Sequence, residues 1–242
     1  MSELRRVDAE PAFVLHSRSY RESSELLEAF TLHHGRIGLV AKGAKRNKSP
    51  FRGTLRLFQP LLISWSGRGD LVTLRTVECS TTVSDLGGTA LMAGFYVNEL
   101  VLALLRRSDP YSELFAHYTA TLASLAGAAD DVEAVLRRFE MSLLREIGYG
   151  LSLNQDSVNN VDLSPAQRYE YRIERGPVPV DASCTSEMVF TGAELLAIGQ
   201  GNFCEQTTLS GAKRLLRNVL DHHLGGRQLK TRGVFAAMKR RT

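Results

Sequence analysis

Between Glu28 and Asp70 the chain carries Arg36, Lys42, Lys45, Arg46, Lys48, Arg52, Arg56 and Arg68 and not one carboxylate. Ammonium and guanidinium groups gathered on the stretch Lys42-Gly43-Ala44-Lys45-Arg46-Asn47-Lys48-Ser49 can follow a phosphate backbone without reading bases. That is the chemistry of sequence-independent, salt-sensitive nucleic-acid binding. The bland alternative is a solvated loop, although solvated surfaces ordinarily intersperse both signs of charge. Arg36, Lys42, Lys45, Arg46, Lys48, Arg52 and Arg56 are therefore the expected phosphate contacts. Among nearby aromatics (Tyr20, Phe51, Phe58, Trp65), Phe51 sits inside the basic run and is the best placed to stack on an unpaired base. Trp65 shares strand parity with Leu61 and Ile63 and reads as core.

A second cationic region closes the chain. From residue 213 onward Lys213, Arg214, Arg217, Arg227, Lys230, Arg232, Lys239, Arg240 and Arg241 face one acid, Asp221, so a basic tail starting at Gly225-Gly226-Arg227 is expected, with Lys230 and Arg232 on nucleic acid. A solubilising terminus is the alternative. In the acidic middle, Arg137 and Arg138 adjoin Phe139, Leu143 and Leu144, a setting in which an arginine could receive the carboxylate of an acidic peptide. A salt bridge to Glu133 or Glu140 would be the structural explanation, and Arg106 with Arg107 is a second possible anchor.

Catalytic constellations are thin. The pairs His33-His34 and His222-His223 lack an HExxH context, and no GxSxG, Walker-type or GxGxxG motif is present, so no enzyme activity is expected. A metal-dependent nuclease would need clustered carboxylates, which the basic span lacks. Cys79, Cys184 and Cys204 are far apart and never in a CxxC pair, so they read as buried thiols rather than as disulfides or a compact zinc site.

These groups must be held by a folded framework. With 242 residues, 43% hydrophobic and 23% charged, the chain can build a core and is not a disordered polymer. No apolar run reaches the roughly 18 residues of a membrane helix, and MSELRRVDAE lacks a signal-peptide core, so a cytoplasmic, nucleoid-associated protein with no membrane contact is expected. The net charge of +4 conceals a segregation, with basic ends and an acidic middle. Apolar or alternating stretches at residues 12–16, 26–32, 36–41, 55–65 and 71–77 predict five short strands by residue 80, which suit an OB-fold barrel or, nearly as well, an SH3-like one. Helical periodicity then predicts helices over 88–105, 111–125 and 132–147, forming a small bundle, and again over 192–199 and 208–224. Residues 150–187 are rich in Asn, Asp, Ser and Pro, with one strand-like patch at 169–173.

Five separated strings agree in order with one known family. AFVLHSRSYRESSELLEAFTLHHGRIGLVAKGAKR at 12–46, PLLISWSGRGDLVTLR at 60–75, YVNELVLALL at 96–105, LRRFEMSLLREIGYG at 136–150 and GGRQLKTR at 225–232 resemble the bacterial RecO recombination mediators. The resemblance implies an α+β multidomain protein: a five-stranded OB-fold β-barrel at 1–80, then an α-helical domain at 81–150 and 191–242, interrupted at 151–190 by a loop-rich, zinc-finger-like insertion. It also implies binding of single- and double-stranded DNA, annealing of complementary strands, and cooperation with RecR and the single-strand-binding protein (SSB) in loading RecA. Arg137 and Arg138 would then meet the C-terminal tail of SSB. Many relatives carry two CxxC pairs in the insertion, where this chain has Asn154, Gln155 and Asp156 and, later, Cys184 alone. A tetrahedral site needs about four ligands, so the insertion is expected to be degenerate and the protein to need no metal or other cofactor. A protein-interaction adaptor with an OB-like barrel is the competing reading.

Overall fold

The computed structural model describes residues 5–81, 85–127 and 131–239. Strands β1 (Arg5–Tyr20), β2 (Ser24–Thr31), β3 (Gly35–Ala41), β4 (Leu61–Gly67) and β5 (Leu71–Cys79) close into a barrel in the order β1-β2-β3-β5-β4. Closure depends on β1, which pairs with β2 through its second half (Ala12 opposite Thr31, Tyr20 opposite Ser24) and with β4 through its first (Arg5 opposite Gly67). Register shifts at Val14/His16 and Val7/Glu10 bend this 16-residue strand enough to serve both edges. The parallel pairing of β3 with β5 completes the Greek-key connectivity of an OB-fold. Its core contains Val14, Leu27, Leu39, Leu61, Ile63, Leu74 and, as its strand parity predicts, Trp65.

The expected strand over 55–65 is half turn. Pairing begins at Leu61 because Pro60 offers no amide donor and disfavours helical geometry at the residue before it, while Phe58 holds φ at +64°. Leu55 and Leu57 still pack against the barrel core, which is why they share the apolar parity of the run.

Helices α1 (Gly88–Leu104), α2 (Ser112–Ala126), α3 (Val132–Glu146), α4 (Gly192–Gly199), α5 (Gln206–His223) and α6 (Lys230–Lys239) do not make one bundle from the first three. Two compact units are present: the described residues of Met1–Ala129 with those of Leu229–Thr242, and those of Asp130–Gln228. In the first unit α1 packs on α2, α6 and β1. Phe115 and Tyr118 of α2 meet Phe13 and Phe30 of the barrel at ring-centroid distances of 5.1 to 5.7 Å. Asn98 of α1 donates to the carbonyl of Leu15 at 2.9 Å and accepts from the Tyr118 hydroxyl at 2.6 Å, tying helices and strand together in a dry contact. Gly35, at φ +64°, turns β2 into β3 so close to the α1–α2 connection that a Cβ there would sit 1.9 Å from the Asp109 carbonyl oxygen.

The second unit packs α3 and α4 on α5. Its insertion is more ordered than its composition predicts: β6 (Arg168–Arg172), β7 (Gly176–Pro179) and β8 (Val189–Thr191) form an antiparallel sheet in the order β7-β6-β8. Tyr169, Tyr171 and Val178 are buried on it. The Arg168 guanidinium donates to the carbonyls of Asp181, Ala182 and Cys184 at 3.0 to 3.2 Å and so gathers the loop that carries the lone cysteine. Among the described residues no group of three or more His, Cys, Asp or Glu side chains could hold a metal ion. The cysteines are not the buried thiols expected: Cys79 and Cys204 are exposed and Cys184 is partly so.

The expected basic tail is also corrected. Lys213, Arg214 and Arg217 lie on α5, as the helical periodicity over 208–224 predicts, but beyond Gly225-Gly226-Arg227 the residues Lys230 and Arg232 belong to α6, a helix packed on α1; Arg240 and Arg241 lie outside the described residues. No described helix is long and apolar enough to cross a membrane.

Candidate nucleic-acid interface

The basic loop between β3 and β4 is a chain of turns. Gly43 leaves β3 at φ +71°, a left-handed conformation open to glycine at little cost. Backbone bonds from Arg46 to Gly43, Ser49 to Arg46, Arg52 to Ser49 and Thr54 to Phe51, at 3.0 to 3.3 Å, then coil the segment tightly. Two apolar side chains peg it down: Ala44 and Phe51 are both 8% exposed and belong to the barrel core. With Ala44 and Phe51 turned inward, the loop presents Lys42, Lys45, Arg46, Lys48 and Arg52 to solvent. None of these five makes an ion pair among the described residues, and only Arg52 is tethered, through donation to the Asn47 carbonyl and side chain. Such an array carries the charge needed to attract a polyanion, because among the described residues no carboxylate pairs with its cations.

Other expected contacts fall elsewhere. Phe51 cannot stack on a base in this conformation, since its ring is spent on the barrel core. Arg36 is 17% exposed and pairs with Glu28 at 3.5 Å, so it serves the barrel wall rather than the solvent face. Arg107, from the α1–α2 connection, reaches the same carboxylate and also donates to the Asp70 carbonyl. Arg56 is exposed beside Asp85, 3.9 Å away. Arg137 is buried against Glu140 at 2.6 Å, whereas its neighbour Arg138 is exposed, 5.8 Å from the Phe203 ring centroid. The arginine pair thus divides between interior and surface, as a rotation of about 100° per helical residue requires.

Lys230 and Arg232 owe their position to a residue that sequence reading passed over. Glu99 of α1 accepts from the backbone amides of Lys230 and Thr231 at 2.8 and 3.0 Å and from the Thr231 hydroxyl at 2.7 Å. It therefore caps the start of α6 from another helix, at the end where the helix dipole favours an anion. Partial burial opposes its charge, but the hydrogen bonds from Thr231 and Lys230 outweigh that and hold its carboxyl below the usual glutamate range. A depressed carboxyl stabilises the fold above its unfolded pKa and loses that contribution as pH falls through the folded one. Amide signals of Lys230 and Thr231 are thus expected to titrate with a midpoint below that of ordinary glutamates, and Glu99→Gln to abolish the transition. A midpoint in the ordinary range would show that the cap is not made in solution.

Two family models match this chain in order: the N-terminal domain of recombination protein O over residues 6–83 and its C-terminal domain over 87–233. Similarity to curated relatives runs through both halves. The DNA repair protein RecO of Methylococcus capsulatus is 47% identical over 230 residues, covering 95% of this chain and 93% of the relative. That of Nitrosospira multiformis is 46% identical over 231 residues, covering 95% of each, and that of Coxiella burnetii (strain RSA 331) is 45% identical over 233 residues, covering 96% and 99%. These matched spans take in nearly all of the barrel and helical part and the whole sheet insertion, and the chain accordingly belongs to the RecO family of DNA repair proteins.

Proposed function

We propose that this RecO-family chain is a recombination mediator that binds single- and double-stranded DNA, anneals complementary strands and, with RecR, helps load RecA onto DNA coated by SSB. The observation that carries the reading is the β3–β4 loop, where five solvent-facing cations have no ion-pair partner among the described residues and stand on a framework pegged by Ala44 and Phe51. Annealing is opposed by phosphate repulsion. A surface that neutralises part of each backbone lowers that barrier, while base pairing supplies the sequence specificity. Lys230 and Arg232 add cationic groups within the same compact unit, and no catalytic step or cofactor is invoked. Action on chromosomal DNA would place the protein in the cytoplasm, on the nucleoid.

The decisive experiment is annealing of complementary oligonucleotides precoated with SSB, with and without the protein. Acceleration is expected; an unchanged rate under conditions where the protein binds DNA would leave the adaptor reading in its place. For the SSB tail, Arg138 is the candidate anchor, being exposed beside an aromatic ring in the second unit. Arg138→Glu is expected to weaken binding of an SSB-tail peptide about tenfold or more while leaving oligonucleotide affinity intact, as read by peptide and oligonucleotide anisotropy. Equal loss of both activities, or of neither, rejects the assignment.

A further inference from the structure

With Phe51 withdrawn into the core, the loop offers cations for phosphates but no ring for a base. The β1–β2 turn supplies one. Tyr20 ends β1, and Arg21 follows it at φ +53°, placing its guanidinium 5.2 Å from the Tyr20 ring centroid. This turn is bonded to the basic loop: Lys45 N–H donates to the Ser23 carbonyl at 3.0 Å and Gly43 N–H to the Ser24 hydroxyl at 3.4 Å. On β1, the period of two sets Arg18 on the same face as Tyr20, and that side chain is exposed. Neither Arg18 nor Arg21 makes an ion pair among the described residues; of the nearby acids, Glu25 accepts from Ser17 at 2.9 Å and Glu22 is exposed in the turn.

We infer that Tyr20, with Arg21 against its ring, is a stacking site for an unpaired nucleobase of a strand whose phosphates lie along the β3–β4 loop. The inference rests on the DNA-binding reading above and adds to it a basis for preferring single strands. An aromatic face accepts any base, but a base in a duplex has both of its faces already stacked, so the site acts only on unpaired DNA. The half-buried ring contributes nothing to the barrel core, which makes its removal tolerable to the fold.

The test compares the full chain with Tyr20→Ala and Tyr20→Phe, using fluorescein-labelled oligothymidylate and a labelled duplex of equal length at one salt concentration, with melting curves to verify folding. Tyr20→Ala should lose about fivefold or more in affinity for the single strand, the low end for one base–aromatic stack, with duplex affinity unchanged. Tyr20→Phe, which keeps the ring, should bind as the parent does. Parallel loss on both DNAs, no loss on the single strand, or a Phe variant as weak as the Ala variant would overturn the stacking assignment alone. A parent chain that binds neither DNA would overturn the functional reading and the stacking site with it.

Discussion

Replacing Lys45, Arg46 and Lys48 together by glutamate is expected to weaken duplex binding by about two to three orders of magnitude near 0.1 M salt and to flatten its salt dependence. Each phosphate contact contributes about 0.9 to the slope of log affinity against log salt, so losing three lowers it by up to about 2.7. The fold should survive. All three side chains are exposed and free of ion pairs among the described residues, and the pegs that shape the loop, Ala44 and Phe51, are untouched. Arg36→Glu makes the instructive contrast. It sets a carboxylate against Glu28 on the barrel wall, so it should lower the melting temperature with little change in slope. Anisotropy across a salt series reads the effect, and an unchanged slope in a triple variant with native circular dichroism would remove this loop from the interface.

Breaking the buried pair in the second unit should give the largest loss of stability. Arg137 is 7% exposed and Glu140 1%, and they meet at 2.6 Å one helical turn apart on α3. Removing one member of such a pair takes the ion-pair partner from a charge in a dry environment and costs about 3–5 kcal/mol. Arg137→Glu is harsher, since two carboxylates would then face each other. In a unit of this size each kcal/mol moves the midpoint by roughly 4–8 °C, so a fall of about 12 °C or more is expected in thermal melts. The neighbouring Arg138→Glu, on the surface, should stay within about 0.5 kcal/mol of the parent. Arg137→Met combined with Glu140→Leu should recover most of the loss, because an apolar pair of similar volume carries no desolvation penalty. A parent-like melt for Arg137→Ala would show that the pair is solvated. Tail-binding assays on Arg137 variants are accordingly readable only after their folding has been checked.

The contrast between Arg137 and Arg138 shows where sequence reading stops. Period-two and helical patterns located three of the barrel strands and all helices but the last to within a few residues, because side-chain alternation and the 3.6-residue repeat are local properties of the chain; β1 proved far longer than its apolar stretch at 12–16, and β4 begins six residues into the run expected at 55–65. A five-stranded barrel and the cationic character of residues 42–52 were legible for the same reason: charge and apolar spacing are written in consecutive positions, whereas the choice of an OB-fold over an SH3-like barrel came from the family resemblance. Residues 150–187 hid a three-stranded sheet, since strands of three to five residues separated by turns carry too little period to register. Helix α6 was hidden too, its basic face resembling a solvated tail while its cap, Glu99, stands more than a hundred residues earlier.

By itself, then, the sequence determined the barrel, the first five helices and which segments carry excess positive charge, all of them sums over neighbouring residues. Tertiary structure decided which cations are available. Arg36 became an ion-pair partner because the pairing of β2 with β3 sets it beside Glu28, and Arg107 reaches that same Glu28 across 79 positions of chain. Phe51 became a peg and not a stacking ring because the closed barrel leaves an apolar opening that the turns of the loop can fill. Burial and ion pairing depend on which distant residues share a volume, and that is settled only when the chain closes on itself.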